Sequence, residues 1–254
     1  MTILDEIVTH KREEVEVKKA LRKSFDLKGL EPTRDFGFSL QGDGLSIITE
    51  IKRCSPSKGA IRGGADPARI AGIYEANGAA AISVLTDTTY FCGSDEFVGT
   101  VKAVTGLPVL RKEFIIDPFQ MYESRALGAD AILLISAVLD RAQMADFLEL
   151  AHELGLSCLV EVHTEADLEK VLATEVRIIG INNRDLATMS VDLTTSLRLR
   201  RQIPSHVITV SESGIQNREH VQQLEEAGFD AVLIGESLMS APDIGAKLRE
   251  LLGQ

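Results

Sequence analysis

The sequence has no CxxC pair, no long apolar run and no surplus of positive charge, and each absence removes a class of protein. Its three cysteines, Cys54, Cys92 and Cys158, are odd in number and lack metal-type spacing. Neither a disulfide framework nor structural zinc is expected, and a reducing cytoplasm fits best. The N-terminus lacks a continuous apolar stretch, because Lys11, Arg12, Lys18 and Lys19 interleave with Glu13, Glu14 and Glu16. That pattern argues against a signal peptide or a membrane span. A net charge of -11 leaves no basic surface for a phosphate backbone, which excludes general nucleic-acid binding. Any anionic ligand must be met by a local cluster of cations. The dinucleotide fingerprint GxGxxG is also missing after the first apolar run, where the chain reads Lys52-Arg53-Cys54-Ser55-Pro56-Ser57-Lys58-Gly59. This weakens an open, doubly wound sheet as the fold.

What remains is a chain of 254 residues with 44% apolar content, long enough for one full core. From Thr2 to about Lys23, apolar residues recur at broadly helical spacing among charges, predicting an amphipathic helix ahead of the first strand. Eight apolar runs of strand length follow: Leu45 to Lys52, Ala80 to Thr86, Pro108 to Lys112, Ala131 to Ser136, Cys158 to Val162, Ile178 to Asn182, His206 to Ser211 and Ala231 to Gly235. Helix-start signals fall between them at Asp66-Pro67, Asp117-Pro118, Asp140, Thr164 and Ala241-Pro242. Three helix ends repeat one turn, around Gly78, Gly128 and Gly228, as a single β/α unit used many times would. The expected fold is α/β, a single (β/α)8 TIM barrel. One domain spans 1–254, with 1–44 an N-terminal helical extension and 45–254 the barrel.

Such a barrel brings every strand C-terminus to one mouth, and five of the runs end in residues able to do chemistry. Glu50 and Lys52 are two apart, so a strand directs both to one side. Lys112 could donate a proton, form a Schiff base, or merely sit in an interior ion pair, with Glu161 as a candidate partner. The apolar neighbours of Glu161 predict a raised carboxyl pKa. His163 shares its side of the strand, although a helix-start or surface role is expected of it. Asn182 and Arg184 can orient a carboxylate or hydroxyl, while Asn183 or Asp185 can cap the following helix. Runs seven and eight end in Glu212-Ser213-Gly214 and Gly235-Glu236, where barrels often bind phosphate.

The motifs Glu50-Ile51-Lys52-Arg53-Cys54-Ser55-Pro56-Ser57-Lys58-Gly59, Leu110-Arg111-Lys112-Glu113-Phe114, Glu161-Val162-His163, Gly180-Ile181-Asn182-Asn183-Arg184-Asp185-Leu186 and Ser211-Glu212-Ser213-Gly214-Ile215 together resemble the indole-3-glycerol-phosphate synthase family over essentially the whole chain. Cys54 lies inside the first of these motifs and Cys92 inside a further one, Tyr90-Phe91-Cys92-Gly93-Ser94, both at positions where that family is expected to vary. The resemblance implies ring closure, decarboxylation and dehydration of a phosphorylated anthranilate-ribulose substrate in tryptophan biosynthesis, without cofactor or metal, by a cytoplasmic protein that is a monomer and binds neither nucleic acid nor membrane. It implies Lys112 as general acid, Glu161 acting as acid or base in dehydration, Lys52 on the substrate carboxylate and able to share the acid role, and Glu50, Asn182, Arg184, Glu212 and Ser213 as further catalytic or positioning groups. Phosphate would rest on Ser55, Gly214, Gly235 and Glu236. Phe91, Phe114, Leu133, Leu186 and Leu233 would wall the aromatic ring. Two alternatives stay open on the residues alone: a Schiff-base sugar-phosphate aldolase using Lys112, and a non-catalytic scaffold subunit.

Overall fold

The architecture follows from strand sequences that alternate two apolar faces. In the computed structural model, which describes residues 2–185 and 188–254, the strands are β1 Ser46–Ile51, β2 Ala81–Leu85, β3 Val109–Lys112, β4 Ala131–Ile135, β5 Ser157–Val162, β6 Ile178–Asn182, β7 Ile208–Glu212 and β8 Ala231–Ile234. Each pairs in parallel with its neighbour in sequence, and β1 closes the barrel on β8 through the register Ser46↔Ala231 to Thr49↔Ile234. Ile48, Leu110, Leu159, Val210 and Leu233 fill the interior. Ile47, Ile51, Val109, Val160, Ile179 and Val232 instead share a core with helix residues such as Tyr74, Met144 and Leu224. Because the period is two, a slip of one residue in β1 would send Glu50 out among the helices and Ile51 into the mouth. The buried faces therefore fix the register that presents the polar strand ends.

The bottom of the barrel is plugged by a short helix, Phe36–Ser39, whose Phe36 joins Leu40 in the interior core. The repeated helix-to-strand turn also has a mechanism. Gly128 and Gly228 take the left-handed conformation, with φ of 90° and 81°, which glycine adopts without a Cβ penalty. Two residues later an aspartate clips the start of the preceding strand: Asp130 accepts from the Val109 amide at 2.8 Å and Asp230 from the Thr209 amide at 2.7 Å. Helix starts fall where the sequence places them at Asp66, Asp117, Asp140 and Thr164. The last one differs, since Ile244–Leu252 is capped by Asp243 rather than by Ala241-Pro242. Pro242 lacks the side-chain oxygen that a cap needs, and the Asp243 carboxylate supplies it.

The N-terminal helix, Ile3–Leu21, opens with a reciprocal cap between Thr2 and Asp5. It is tied to the barrel by Lys11, which is 1% exposed and lies 2.7 Å from Glu14, 2.9 Å from Asp87 and 3.1 Å from Glu113. Three carboxylates offset the cost of burying one ammonium, and they hold it charged against the pull of burial. This anchorage sets Ile3, Leu4 and Ile7 over the mouth of the barrel.

Candidate active site

The mouth holds a cavity of about 800 Å³ whose floor is made by the strand ends. The alternation that buries Ile48 and Leu110 carries Glu50, Lys52 and Lys112 into it. Lys112 Nζ lies 2.7 Å from Glu212 Oε2 and 3.3 Å from Glu50 Oε2, while Lys52 Nζ lies 3.1 Å from the other Glu50 oxygen. Two inward glycines make room for this charge. A Cβ at Gly180 would collide with the Glu212 carboxylate, and one at Gly235 with that of Glu50. Gly180 within β6 and Gly235 just past β8 thus mark close approaches rather than flexible joints.

At the other side of the mouth, His163 Nε2 lies 3.2 Å from Glu161 Oε1. Neither ring nitrogen has a well-aligned hydrogen bond, so the contact is chiefly one of charge. Asn182 Oδ1 accepts from the Arg184 amide at 3.0 Å, and the Arg184 guanidinium reaches Glu236 at 3.7 Å. Below them Asn183 donates to Ser211 Oγ and to the Glu212 and Ser213 carbonyls, each at 3.0 Å, and accepts from the Ser196 amide at 3.0 Å. It thus satisfies a first-turn amide of the helix Thr194–Arg200, whose cap position is held by Leu193, and fixes the end of β7. There Ser213 and Gly214 take successive left-handed conformations, φ 67° and 82°. A non-glycine residue in that region is strained, and such strain collects at ligand sites.

The electrostatics correct one expectation. Burial pushes the Glu161 carboxyl up, but His163, Lys112 and Asn182 outweigh it and hold the group well below the usual carboxylate range. Its apolar sequence neighbours do not decide the matter, because His163, two residues further along the chain, and Lys112 and Asn182 from other strands stabilise the charge. His163 is in turn raised by Glu161 against its burial. With a side chain only 10% exposed, it is no surface residue. The carboxyl that rises is Glu212, fully buried and close to the charges of Glu161 and Glu50. It is pushed up to about 7 although Lys112 lowers it, and among the described residues its Oε1 has no hydrogen-bond partner. Lys112 itself is held protonated: burial opposes the charge, while Glu212, Glu50 and Glu161 more than restore it. The expected pair of Lys112 with Glu161 is thus replaced by direct bonds to Glu212 and Glu50.

A pH effect on stability follows from Glu212. The folded protein keeps this proton up to about 7 against an ordinary value of 4.5, so it binds more protons than the unfolded chain between those values. The stability the group contributes is complete below its unfolded value and lost as pH rises through about 7. Glu212→Gln imitates the protonated acid and is expected to remove that loss. Thermal melts at about pH 5 and about pH 8 should show a smaller fall in Tm for the variant than for the parent; equal falls would show that Glu212 is ionised throughout.

Glu50, Lys52, Ser55, Phe91, Lys112, Phe114, Leu133, Glu161, Asn182, Arg184, Ser213, Gly214, Leu233, Gly235 and Glu236 all line the cavity. Glu212 is fully buried and is not among the lining residues, and Leu186 falls outside the described residues. The sequence did not point to Ile3, Leu4 and Ile7, nor to Glu113, Lys58, Met189 or His220, which also line the mouth. The amphipathic pattern of the first helix was the available signal for the first three. The expectation that no disulfide forms is overturned, since Cys54 is bonded to Cys92. An odd count and a separation of 38 residues say nothing about two loops that meet only when β1 and β2 pair. Among the described residues no group of three His, Cys, Asp or Glu side chains is arranged to hold a metal ion, and no helix is long and apolar enough to cross a membrane.

A closed parallel barrel with opposed lysines and carboxylates gathered at its C-terminal mouth belongs to the class of barrel enzymes that act on small anionic molecules. Solved structures support the fold alone: 3-hexulose-6-phosphate synthase from Salmonella typhimurium matches with TM-score 0.65 at 14% identity, over 82% of this chain and 96% of that one. Thiamine phosphate pyrophosphorylase from Pyrococcus furiosus gives 0.63 at 15%, over 82% and 94%. The sequence decides the family. The chain belongs to the indole-3-glycerol phosphate synthase family, whose model matches residues 4–251, and so to the carboxy-lyases of tryptophan biosynthesis. It is 49% identical to the indole-3-glycerol phosphate synthase of Dehalococcoides mccartyi strain CBDB1 over 98% of this chain and 100% of the relative. The corresponding protein of Chlorobium chlorochromatii is 47% identical over 99% of each.

Proposed function

We propose that the mouth converts 1-(2-carboxyphenylamino)-1-deoxyribulose 5-phosphate to indole-3-glycerol phosphate, carbon dioxide and water by general acid and base catalysis shared among Lys112, Lys52 and Glu161. The observation that carries this reading is the state of Lys112, clamped between Glu212 and Glu50 and held protonated. A Schiff-base nucleophile must be a neutral amine, which needs a lowered pKa; the raised one favours proton donation over the aldolase alternative. A strongly held proton is still transferable here, because the ketone oxygen becomes alkoxide-like, and far more basic, as the aromatic carbon attacks.

In this scheme Lys52 pairs with the substrate carboxylate until it leaves as carbon dioxide. Glu50 orients both lysines, and Asn182 and Arg184 position the sugar hydroxyls. Glu161, ionised and backed by His163, takes the proton that the new five-membered ring loses as water departs, after the loss of carbon dioxide has restored the aromatic ring. Glu212 and Ser213 hold the end of β7, with Glu212 directing the Lys112 ammonium. Phosphate rests on Ser55 and on the backbone around Gly214, Gly235 and Glu236, where Lys58 and Arg184 supply local positive charge in an acidic protein. Phe91 and Phe114, whose ring centroids lie 6.0 Å apart, wall the aromatic ring with Leu133 and Leu233. The protein acts as a cytoplasmic monomer of one domain, barrel 45–254 with extension 1–44, on a small-molecule substrate, without cofactor, membrane or nucleic acid.

The test is steady-state appearance of indole fluorescence from this substrate with no metal added. Indole product and carbon dioxide should form in equal amounts. Folded, reduced protein that releases neither would overturn the reading.

A further inference from the structure

Two of the three cysteines meet at the mouth. Cys54 follows Lys52 by two residues and precedes Ser55, both of which line the cavity; Cys92 follows Phe91, another lining residue. Their bond, with Cα atoms 5.6 Å apart, ties the loop after β1 to the turn after β2. The first of these loops has little regular structure. A two-residue antiparallel pair, Cys54–Ser55 with Gly59–Ala60, carries an exposed tip, and its Lys58 side chain is 61% exposed. The base of the loop is fastened independently: Arg53 bonds to the Ala65 carbonyl, and Arg62 to the carbonyls of Met239 and Ala241. The disulfide is therefore the covalent tie on the segment between those anchors that carries Ser55 and Lys58. Cys92 is exposed and closes a four-residue helix, Thr88–Phe91, in the left-handed conformation at φ 54°, which places it within reach of an external thiol. The remaining cysteine, Cys158, sits at the start of β5, away from the mouth. Burial pushes its thiol up to about 12, which suppresses the thiolate that exchange requires.

We propose that Cys54 and Cys92 form a reversible thiol–disulfide modification site that governs turnover, with the disulfide as the slow state. The inference rests on the catalytic reading above. Its chemistry balances with a dithiol as reductant. One thiolate of the dithiol attacks the Cys92 sulfur, the bond between Cys54 and Cys92 breaks, and Cys54 leaves as thiolate. The second thiol of the reductant resolves the mixed disulfide. Two electrons and two protons pass to the protein, and the reductant ends as its own disulfide. A small-molecule disulfide drives the reverse reaction. In a reducing cytoplasm the dithiol form prevails, and oxidation closes the tie. A mouth that takes in a substrate with an aromatic ring at one end and phosphate at the other must let its loops part. Pinning the Ser55 loop to the Phe91 turn hinders entry and release, steps that set kcat in many enzymes.

The experiment compares the full-length protein after treatment with a dithiol and after oxidised glutathione, with free thiols counted in denaturant. Oxidation should leave only Cys158 titratable. The oxidised form should show roughly tenfold lower kcat, as an added opening barrier of about 1.4 kcal/mol would give, and the dithiol should restore it. Cys54→Ala combined with Cys92→Ala should turn over at the reduced rate and ignore both reagents. Trypsin supplies a readout independent of activity: cleavage after Lys58 should be slower in the oxidised form. Equal kcat in the two forms, faster turnover when oxidised, three free thiols after oxidation, or equal cleavage after Lys58 would each overturn the proposal. Reduced protein that makes no indole product, while the trypsin difference persists, would count against the catalytic reading and leave the tie itself standing.

Discussion

Lys112→Met is expected to lower kcat by about 10²- to 10⁴-fold, the range that a positioned proton donor supplies, with a much smaller change in KM. The ammonium is needed when the ketone oxygen gains charge, a demand that exists only in the transition state, so its loss should fall on kcat and kcat/KM together. Methionine keeps most of the length of the side chain and the apolar stem. It removes the counter-charge of Glu212 and Glu50, and breaking a buried pair in this way costs about 3–5 kcal/mol if the carboxylates stay ionised. Glu212 already leans toward its protonated form, so the cluster can take up a proton instead of unfolding, and circular dichroism should report an intact barrel. Lys112→Arg separates the two roles of the group. It preserves positive charge but does not give up its proton at working pH. If Lys112 acts as an acid, arginine should be nearly as slow as methionine. Near-normal kcat with arginine would reduce Lys112 to an electrostatic anchor. Borohydride added during turnover should leave Lys112 unmodified; a trapped adduct would restore the aldolase mechanism.

What could be read in advance depended on how local each interaction is. The eight runs, the two-residue spacing of Glu50 and Lys52, and the caps at Asp66, Asp117, Asp140 and Thr164 are decided within a few residues, so the barrel and the orientation of its polar strand ends were legible. The partners of those polar groups were not. Lys112 meets Glu212 across 100 residues of sequence only because the barrel closes, and of the groups that lower Glu161 only His163 is local, while Lys112 and Asn182 come from other strands. Arg111 shows the same limit from the other side. Beside Lys112 in sequence it could pass for a mouth residue, yet the alternation of β3 turns it outward. There it is fully buried and bonds to Asp95 at 2.5 Å and Glu123 at 2.7 Å. The Cys54–Cys92 bond was out of reach for the same reason, being made by segments that only the closed barrel brings together; for the roof supplied by the N-terminal helix the amphipathic pattern showed an apolar face but not what it covers.

Glu161→Gln is the second substitution with a large expected effect, again about 10²- to 10⁴-fold on kcat if the carboxylate transfers a proton. The sequence left its role open between acid and base. The structure supports the base, because a carboxyl held low by His163, Lys112 and Asn182 is available as an acceptor and unsuited to carry a proton at neutral pH. In the last part of the reaction the ring must lose a proton and a hydroxyl must leave as water; Glu161 fits the first demand and a lysine the second. Glutamine retains the shape and the ability to meet Asn182, so binding should change little, but it cannot accept the proton. His163, deprived of its counter-charge, should also titrate lower than in the parent, an effect that NMR of the imidazole can follow. The two products offer the sharper test. If Glu161 acts after the carboxylate has left, a single turnover of the variant should release carbon dioxide at near the parent rate while indole fluorescence lags well behind. Equal slowing of both signals would place Glu161 at or before ring closure, and its assignment to dehydration would fall.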